Sequence, residues 1–420
     1  MTEKLLQYIW QFKYFQKSEL KTTTDESIQI LYNGILNTNQ GPDFLEAKIK
    51  IEKTILVGSI ELHLKTSDWK NHHHSKDKNY KNVILHVVWE NDEKESAIPV
   101  LELNQRVPKI LLTNINEWMN STNFIPCEKS INLVSPLVWL GWKDRLVAER
   151  LERKSLQIET YLLENNFHWE ETLWWMLARN FGLKTNEIAF EQIARSISIN
   201  QLYKHKNNIL QLEALLFGQA NLLEKKFKNS YALSLQKEFH FLKTKYKLKP
   251  IFQAVHFLRM RPANFPTIRL AQLASLISKS SHLFEKIKNA NSIEIIQQLF
   301  TVQTSSFWET HYNFEEPSLS KTKNLGTAMI NNICINTVIP LLFTYGNYHK
   351  DSQILQKLSL FLGSIKAEKN SITNGFEKIK IANKNALDSQ AFVELRNEYC
   401  SKKRCLDCVI GNKILMNKNN

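Results

Sequence analysis

A chain of 420 residues with 43% apolar content can bury a large core, which excludes a disordered polymer and favours two or three domains. Lysine and arginine outnumber aspartate and glutamate 55 to 41, and the resulting formal charge of +14 sets up a field that draws polyanions, nucleic acid first among them. A lysine-rich composition with no ligand behind it gives the same sum, so the charge acquires meaning only beside a site.

The opening stretch MTEKLLQYIWQFKYFQ is amphipathic and carries neither the apolar region nor the cleavage site of a signal peptide, so a cytoplasmic location is expected. From about residue 27 to 106 the texture is that of short strands: SIQILYNG, AKIKIEK, TILVGSIELHLKT, NVILHVVWEND and IPVLELNQR, punctuated by Gly, Asn and Asp turns. These read as a β-meander. Helical periods follow, as in DRLVAERLERKSLQIETYLLENN, where Leu146, Val147, Leu151 and Ile158 recur at helical spacing. The expected fold class is therefore α+β, with a boundary near 125/126 between an α/β part (1–125) and a helical part (126–420). The longest apolar run, INTVIPLLF, is interrupted by Asn336 and Pro340 and is too short to span a membrane, so no membrane segment is expected.

Within the strands, Glu61, His63 and Lys65 occupy alternate positions and so share one face, while Ile60, Leu62 and Leu64 take the other. Asp43 follows the turn Gly41-Pro42 and precedes the neighbouring strand, so a hairpin brings its carboxylate to that of Glu61. Two carboxylates beside a lysine suit a hard cation, Mg²⁺ or Mn²⁺, in phosphodiester hydrolysis. A strand with a solvated polar face has the same spacing. The next loop adds Asp68, His72, His73, His74 and Asp77, and His86 lies inside the apolar strand VILHVVW. The loop histidines read either as solvated side chains or as a secondary metal or phosphate site, and His86 reads as a hydrogen-bonded core residue.

At these residues the sequence resembles the PD-(D/E)xK nuclease superfamily, in which an acid after a proline begins one strand and an acid-x-lysine motif lies on the next. The resemblance covers residues 25 to 105 and implies a restriction-endonuclease-like core acting as a hydrolase, with Asp43 and Glu61 holding metal and His63 and Lys65 completing the catalytic set. His63 stands where the superfamily places its lysine, and Lys65 is one step further along the face. Over nearly its full length, through NQGPDFLEAKI, GSIELHLKTSDW, RMRPANFPTIRLAQLA and NEYCSKKRCLDCVIG, the chain also looks like a bacterial family known only by a domain of unknown function. That resemblance supplies membership and no activity.

The C-terminal YCSKKRCLDC sets Cys400, Cys405 and Cys408 at C-x4-C-x2-C spacing. Three thiolates so close can grip one soft ion and need a fourth ligand to close a Zn²⁺ site or a 4Fe-4S cluster. Cys127 is the first candidate; Cys334, in an apolar stretch, or a histidine are alternatives. A staple of one distant cysteine and a C-terminal triplet resembles the clusters of RecB-like iron–sulfur nucleases. Lys402, Lys403 and Arg404, between the ligands, form a basic knuckle suited to phosphates. The stripe Trp169, Trp174, Trp175 and Phe181 reads as core, and Arg259, Arg261 and Arg269 as structural loop residues. Function is thus expected among three classes: a nuclease acting on nucleic acid, DNA first; a nucleic-acid-binding protein on a nuclease scaffold without turnover; or a metal-stapled protein-interaction scaffold.

Overall fold

The computed structural model describes residues 1–258 and 260–417; Arg259 lies outside them. The chain forms two compact units, one of Met1–Trp142 with Leu395–Asn420, the other of Lys143–Glu394. The division therefore differs from the 125/126 boundary, because the C-terminal segment returns to the first unit.

The first unit opens with helix α1 (Glu3–Gln11), capped by the Thr2 hydroxyl on the Leu5 amide and burying Leu5, Leu6, Tyr8, Ile9 and Trp10. Six strands follow: β1 (Ile28–Tyr32), β2 (Ile35–Leu36), β3 (Phe44–Ile51), β4 (Thr54–Lys65), β5 (Val83–Glu90) and β6 (Val100–Glu102). They make one mixed sheet in the order β1-β3-β4-β5-β6, with β2 also on β3. β1, β3 and β4 are antiparallel, as a meander requires, but β4–β5 and β5–β6 run parallel. A parallel neighbour needs a crossover. Residues 66–82 supply the first one, through helix α2 (Asp68–Asn71) and two single turns, His74–Lys76 and Lys78–Tyr80. Gly58 allows β4 to meet the incoming chain, since a Cβ there would lie 2.4 Å from the Asn82 carbonyl oxygen that accepts from Ser59.

Ile60, Leu62, Leu85 and Val87 are buried on one side of the sheet. The other side is covered as well, so Glu61 and His63 are only 5% and 2% exposed. The polar face of β4 is therefore not a solvated one.

The second unit is helical. Leu146, Val147, Leu151 and Ile158 are buried as their spacing requires, and Trp174, Trp175 and Phe181 are core. Arg269 is buried and donates to Gln272 and Asn264, a structural role. One expectation fails here: Asn336 and Pro340 do not interrupt the apolar run. The helix continues over Thr327–His349, long and apolar enough to cross a membrane, with 67% of its apolar window buried inside the protein. A wide turn at Cys334–Val338 precedes Pro340, which sits in the first turn of Ile339–His349, where a missing N–H is tolerated.

Candidate metal centre

The turn before Asp43 is built from its own polar side chains. Asn37 donates its amide to the carbonyls of Gln40 and Pro42, the Asn37 backbone N–H donates to the Asp43 carbonyl, and Gly41 adopts φ +112°, a region costly for any side chain. Beyond it, Glu46 takes a left-handed conformation (φ 59°) where the register of β3 against β4 shifts between Phe44 and Ala47. These features set Asp43 opposite Glu61.

The two acids are bound reciprocally. The Asp43 amide donates to Glu61 Oε2 at 3.0 Å, and the Leu62 amide donates to Asp43 Oδ2 at 3.1 Å. Gln7 of α1 donates to Asp43 Oδ1 at 2.8 Å. Among the described residues no lysine or arginine pairs with either acid. Burial, with the Asp43 charge second, pushes Glu61 up to about 8. Burial also raises Asp43 to about 6, against the hydrogen bonds from Leu62 and Gln7. Burial thus favours the neutral form of each carboxyl, and a cation bound beside them would favour the ionised form.

Four imidazoles adjoin the pair. His63 Nε2 lies 3.5 Å from Glu61 Oε1, and His74 Nε2 lies 3.4 Å from the same oxygen. His63 Nε2 is 3.1 Å from His72 Nδ1 and 3.3 Å from His74 Nε2, and its Nδ1 is 2.9 Å from His86 Nε2. His73 is left-handed (φ 59°) and its two neighbours both reach His63. Tyr80 stacks on His74 with centroids 3.8 Å apart, and Trp69 packs at 5.3 Å against both His74 and His86. Burial lowers His63 to about 3 and His86 to about 4, and burial and His72 also lower His74. Neutral imidazoles keep lone pairs available for a metal.

The cysteines form a second group in the same unit. Cys127, Cys400, Cys405 and Cys408 are all buried and none is in a disulfide. Burial pushes each thiol up, and further raising comes to Cys127 from Cys408 and Cys405, and to Cys400 from all three others. Cys405 reaches about 12 and Cys408 about 11. Cys408 precedes the helix Val409–Asn417, and the Ile410 and Gly411 amides and the Trp142 indole hold its pKa below where burial alone would put it. Such donors suit a thiolate. Cys334 is buried in the helical unit.

A family model described as "Protein of unknown function (DUF2851)" matches residues 3–371, well over half of the chain. The chain belongs to the DUF2851 family. No curated protein and no solved structure matches it.

In this DUF2851 chain the structure brings Asp43, Glu61 and His63 together, and with them His72, His74, His86, Tyr80 and Gln7. Lys65 is placed apart: it is exposed, its amide donates to Asp68 Oδ2 at 3.0 Å, and its charge lowers the pKa of Asp92. The basic knuckle is engaged locally. Lys402 pairs with Glu398 at 2.5 Å, Lys403 donates to the Met119 and Ser121 carbonyls, and Arg404 pairs with Asp407 at 2.9 Å over the Tyr399 ring. Gln7, Trp69 and Tyr80 carry no motif and only the tertiary fold reveals their part; the His72–His74 run is the signal that a local reading leaves undecided.

Proposed function

We propose that the sheet unit is a metal-dependent nuclease that hydrolyses phosphodiesters in nucleic acid, with DNA the first substrate to test. The observation that carries this reading is the pair of half-buried Asp43 and buried Glu61, joined across β3 and β4 with no lysine or arginine partner among the described residues. Its placement accords with the resemblance to the PD-(D/E)xK superfamily, an acid after Gly-Pro opening one strand and a second acid on the antiparallel neighbour. A divalent ion at the acids, Mg²⁺ or Mn²⁺, would steady the phosphate and lower the pKa of the attacking water. The acids supply oxygen donors for that ion. Gln7 orients the Asp43 carboxylate, and His63 and His74 border Glu61. The net charge of +14 favours a polyanionic substrate.

The four buried thiols support a structural Zn²⁺ or 4Fe-4S centre that fastens the C-terminal segment within the first unit. Lys65 favours a second reading. It stands away from the acids, so a nuclease scaffold that binds nucleic acid without cutting it remains the competing function.

Plasmid and single-stranded substrates incubated with Mg²⁺ or Mn²⁺ decide between them. The nuclease reading expects metal-dependent cleavage that Asp43→Asn and Glu61→Gln abolish. Salt-dependent binding without cleavage transfers the function to the second reading, and neither binding nor cleavage of DNA or RNA overturns both.

A further inference from the structure

We propose that Glu61, His63, His72 and His74 form a binding site for one first-row transition-metal ion of the Mn²⁺-to-Zn²⁺ series, chosen over Mg²⁺ by its imidazoles. The inference deepens the cleavage reading of the same site, and only its catalytic consequence rests on that reading.

Geometry carries it. The ligand nitrogens of His63, His72 and His74 all lie within 4.8 Å of one another. The individual separations are 3.1 Å (His63 Nε2 to His72 Nδ1), 3.3 Å (His63 Nε2 to His74 Nε2), 3.5 Å (His63 Nε2 to Glu61 Oε1) and 3.4 Å (His74 Nε2 to Glu61 Oε1). Nitrogen ligands roughly 2.0–2.1 Å from a tetrahedral ion stand about 3.3 Å from each other, so these four separations match four of the six edges of such a polyhedron, with the three imidazoles as the mutually close set. As hydrogen bonds, three of the four exceed the usual range of about 2.7–3.2 Å. His63 Nε2 faces three neighbours at once, and a single shared proton serves only one of them. A cation satisfies all four lone pairs together.

The surroundings are those of a metal site. His63 presents Nε2 to the cluster while its Nδ1 meets His86 Nε2 at 2.9 Å, the outer contact that fixes tautomer and ring orientation in metal-bound histidines. Trp69 and Tyr80 wall His74 and restrict its ring. His72 is exposed, so the cluster opens to solvent on that side. Three imidazoles and one carboxylate suit Zn²⁺, Mn²⁺ or Fe²⁺, whereas Mg²⁺ prefers an all-oxygen shell with several waters.

Cobalt(II) titration of chelator-treated full-length protein tests the site. The expected result is one Co²⁺ per chain with visible ligand-field absorption, displaced by Zn²⁺ and unmoved by millimolar Mg²⁺. A sulfur-to-cobalt charge-transfer band reports the cysteines separately. His72→Ala, at an exposed position, is expected to weaken the nitrogen-ligated Co²⁺ by at least about tenfold with the circular-dichroism spectrum unchanged. His74→Gln provides the second variant and the same loss. Uptake of Co²⁺ only with the sulfur signature, or uptake indifferent to both substitutions, overturns the site. Co²⁺ binding without any cleavage overturns the nuclease reading and leaves this one standing; Mg²⁺-dependent cleavage with no nitrogen-ligated Co²⁺ does the reverse.

Discussion

The two units bury acidic groups in opposite ways. In the helical unit each buried acid has its partners in the chain: Glu394 accepts from Arg153 at 2.6 Å with Arg150 at 3.7 Å, Asp388 pairs with Lys143 at 2.8 Å, and Glu213 accepts from Trp308, Tyr231 and Ser305, each at 2.8 Å. In the sheet unit Glu61 and Asp43 lie together with imidazoles beside Glu61, and burial raises both acids, with the Asp43 charge adding to the rise at Glu61. A buried charge left without a counter-ion is expensive. Glu394 and Asp388 thus have counter-ions within the chain and Glu213 has three neutral donors, whereas in the proposed site the cation beside Glu61 and Asp43 would come from outside. Strain of the second kind collects where a protein binds or reacts.

Substitution at each kind of acid sharpens the contrast. Glu394→Ala leaves Arg150 buried without its carboxylate, and a loss of about 3–5 kcal/mol in unfolding free energy is expected by denaturant titration, with metal content unchanged. Glu61→Gln is expected to do the converse. Cleavage falls by roughly 10²–10³-fold or more, while the metal-free protein melts no earlier than wild type because the neutral amide replaces a carboxyl whose ionised form burial already disfavours. Equal destabilisation by both variants would erase the distinction.

His86→Phe removes the partner of His63 Nδ1 without removing a ligand. A drop of about 10–100-fold in transition-metal affinity is expected by isothermal titration, with secondary structure retained. The smallest effect belongs to Glu213. Burial raises it from 4.5 to about 7 in the folded state, so its contribution to stability is fully present below pH 4.5 and is lost as pH rises through about 7. Wild type is expected to lose on the order of 1 kcal/mol between pH 5 and 8 that Glu213→Gln does not lose, read from melting curves across that range.

Much of the sheet could be read from the sequence. Alternation between turn residues places β1, β3, β4, β5 and β6 where the structure has them, because a strand with a buried face leaves a period of two. Sequence does not reveal the parallel pairing of β4 with β5, since the polar segment 66–82 shows no period that announces a crossover. For the site, alternation brought Glu61 and His63 to one face, and the Gly-Pro turn pointed to Asp43. Lys65 shares that face by periodicity but lies beyond the end of the covered region, and periodicity says nothing of where a cover stops. His72 and His74 become ligands in the proposed site only through the left-handed His73 and the fold of the crossover. The apolar helix Thr327–His349 was missed for a related reason: a local wide turn at Cys334–Val338 carries the chain past Pro340. The cysteine spacing was visible in full, but the mutual influence of Cys127 and the C-terminal triplet is a tertiary fact.

Anomalous diffraction from crystals soaked in Zn²⁺ or Mn²⁺, collected on both sides of the metal edge, tests the central claim most directly. The account predicts one strong peak about 2.0–2.2 Å from Glu61 Oε1, His63 Nε2, His72 Nδ1 and His74 Nε2. The same four atoms at hydrogen-bonding distances from one another, with no anomalous signal between them at saturating metal, would contradict it.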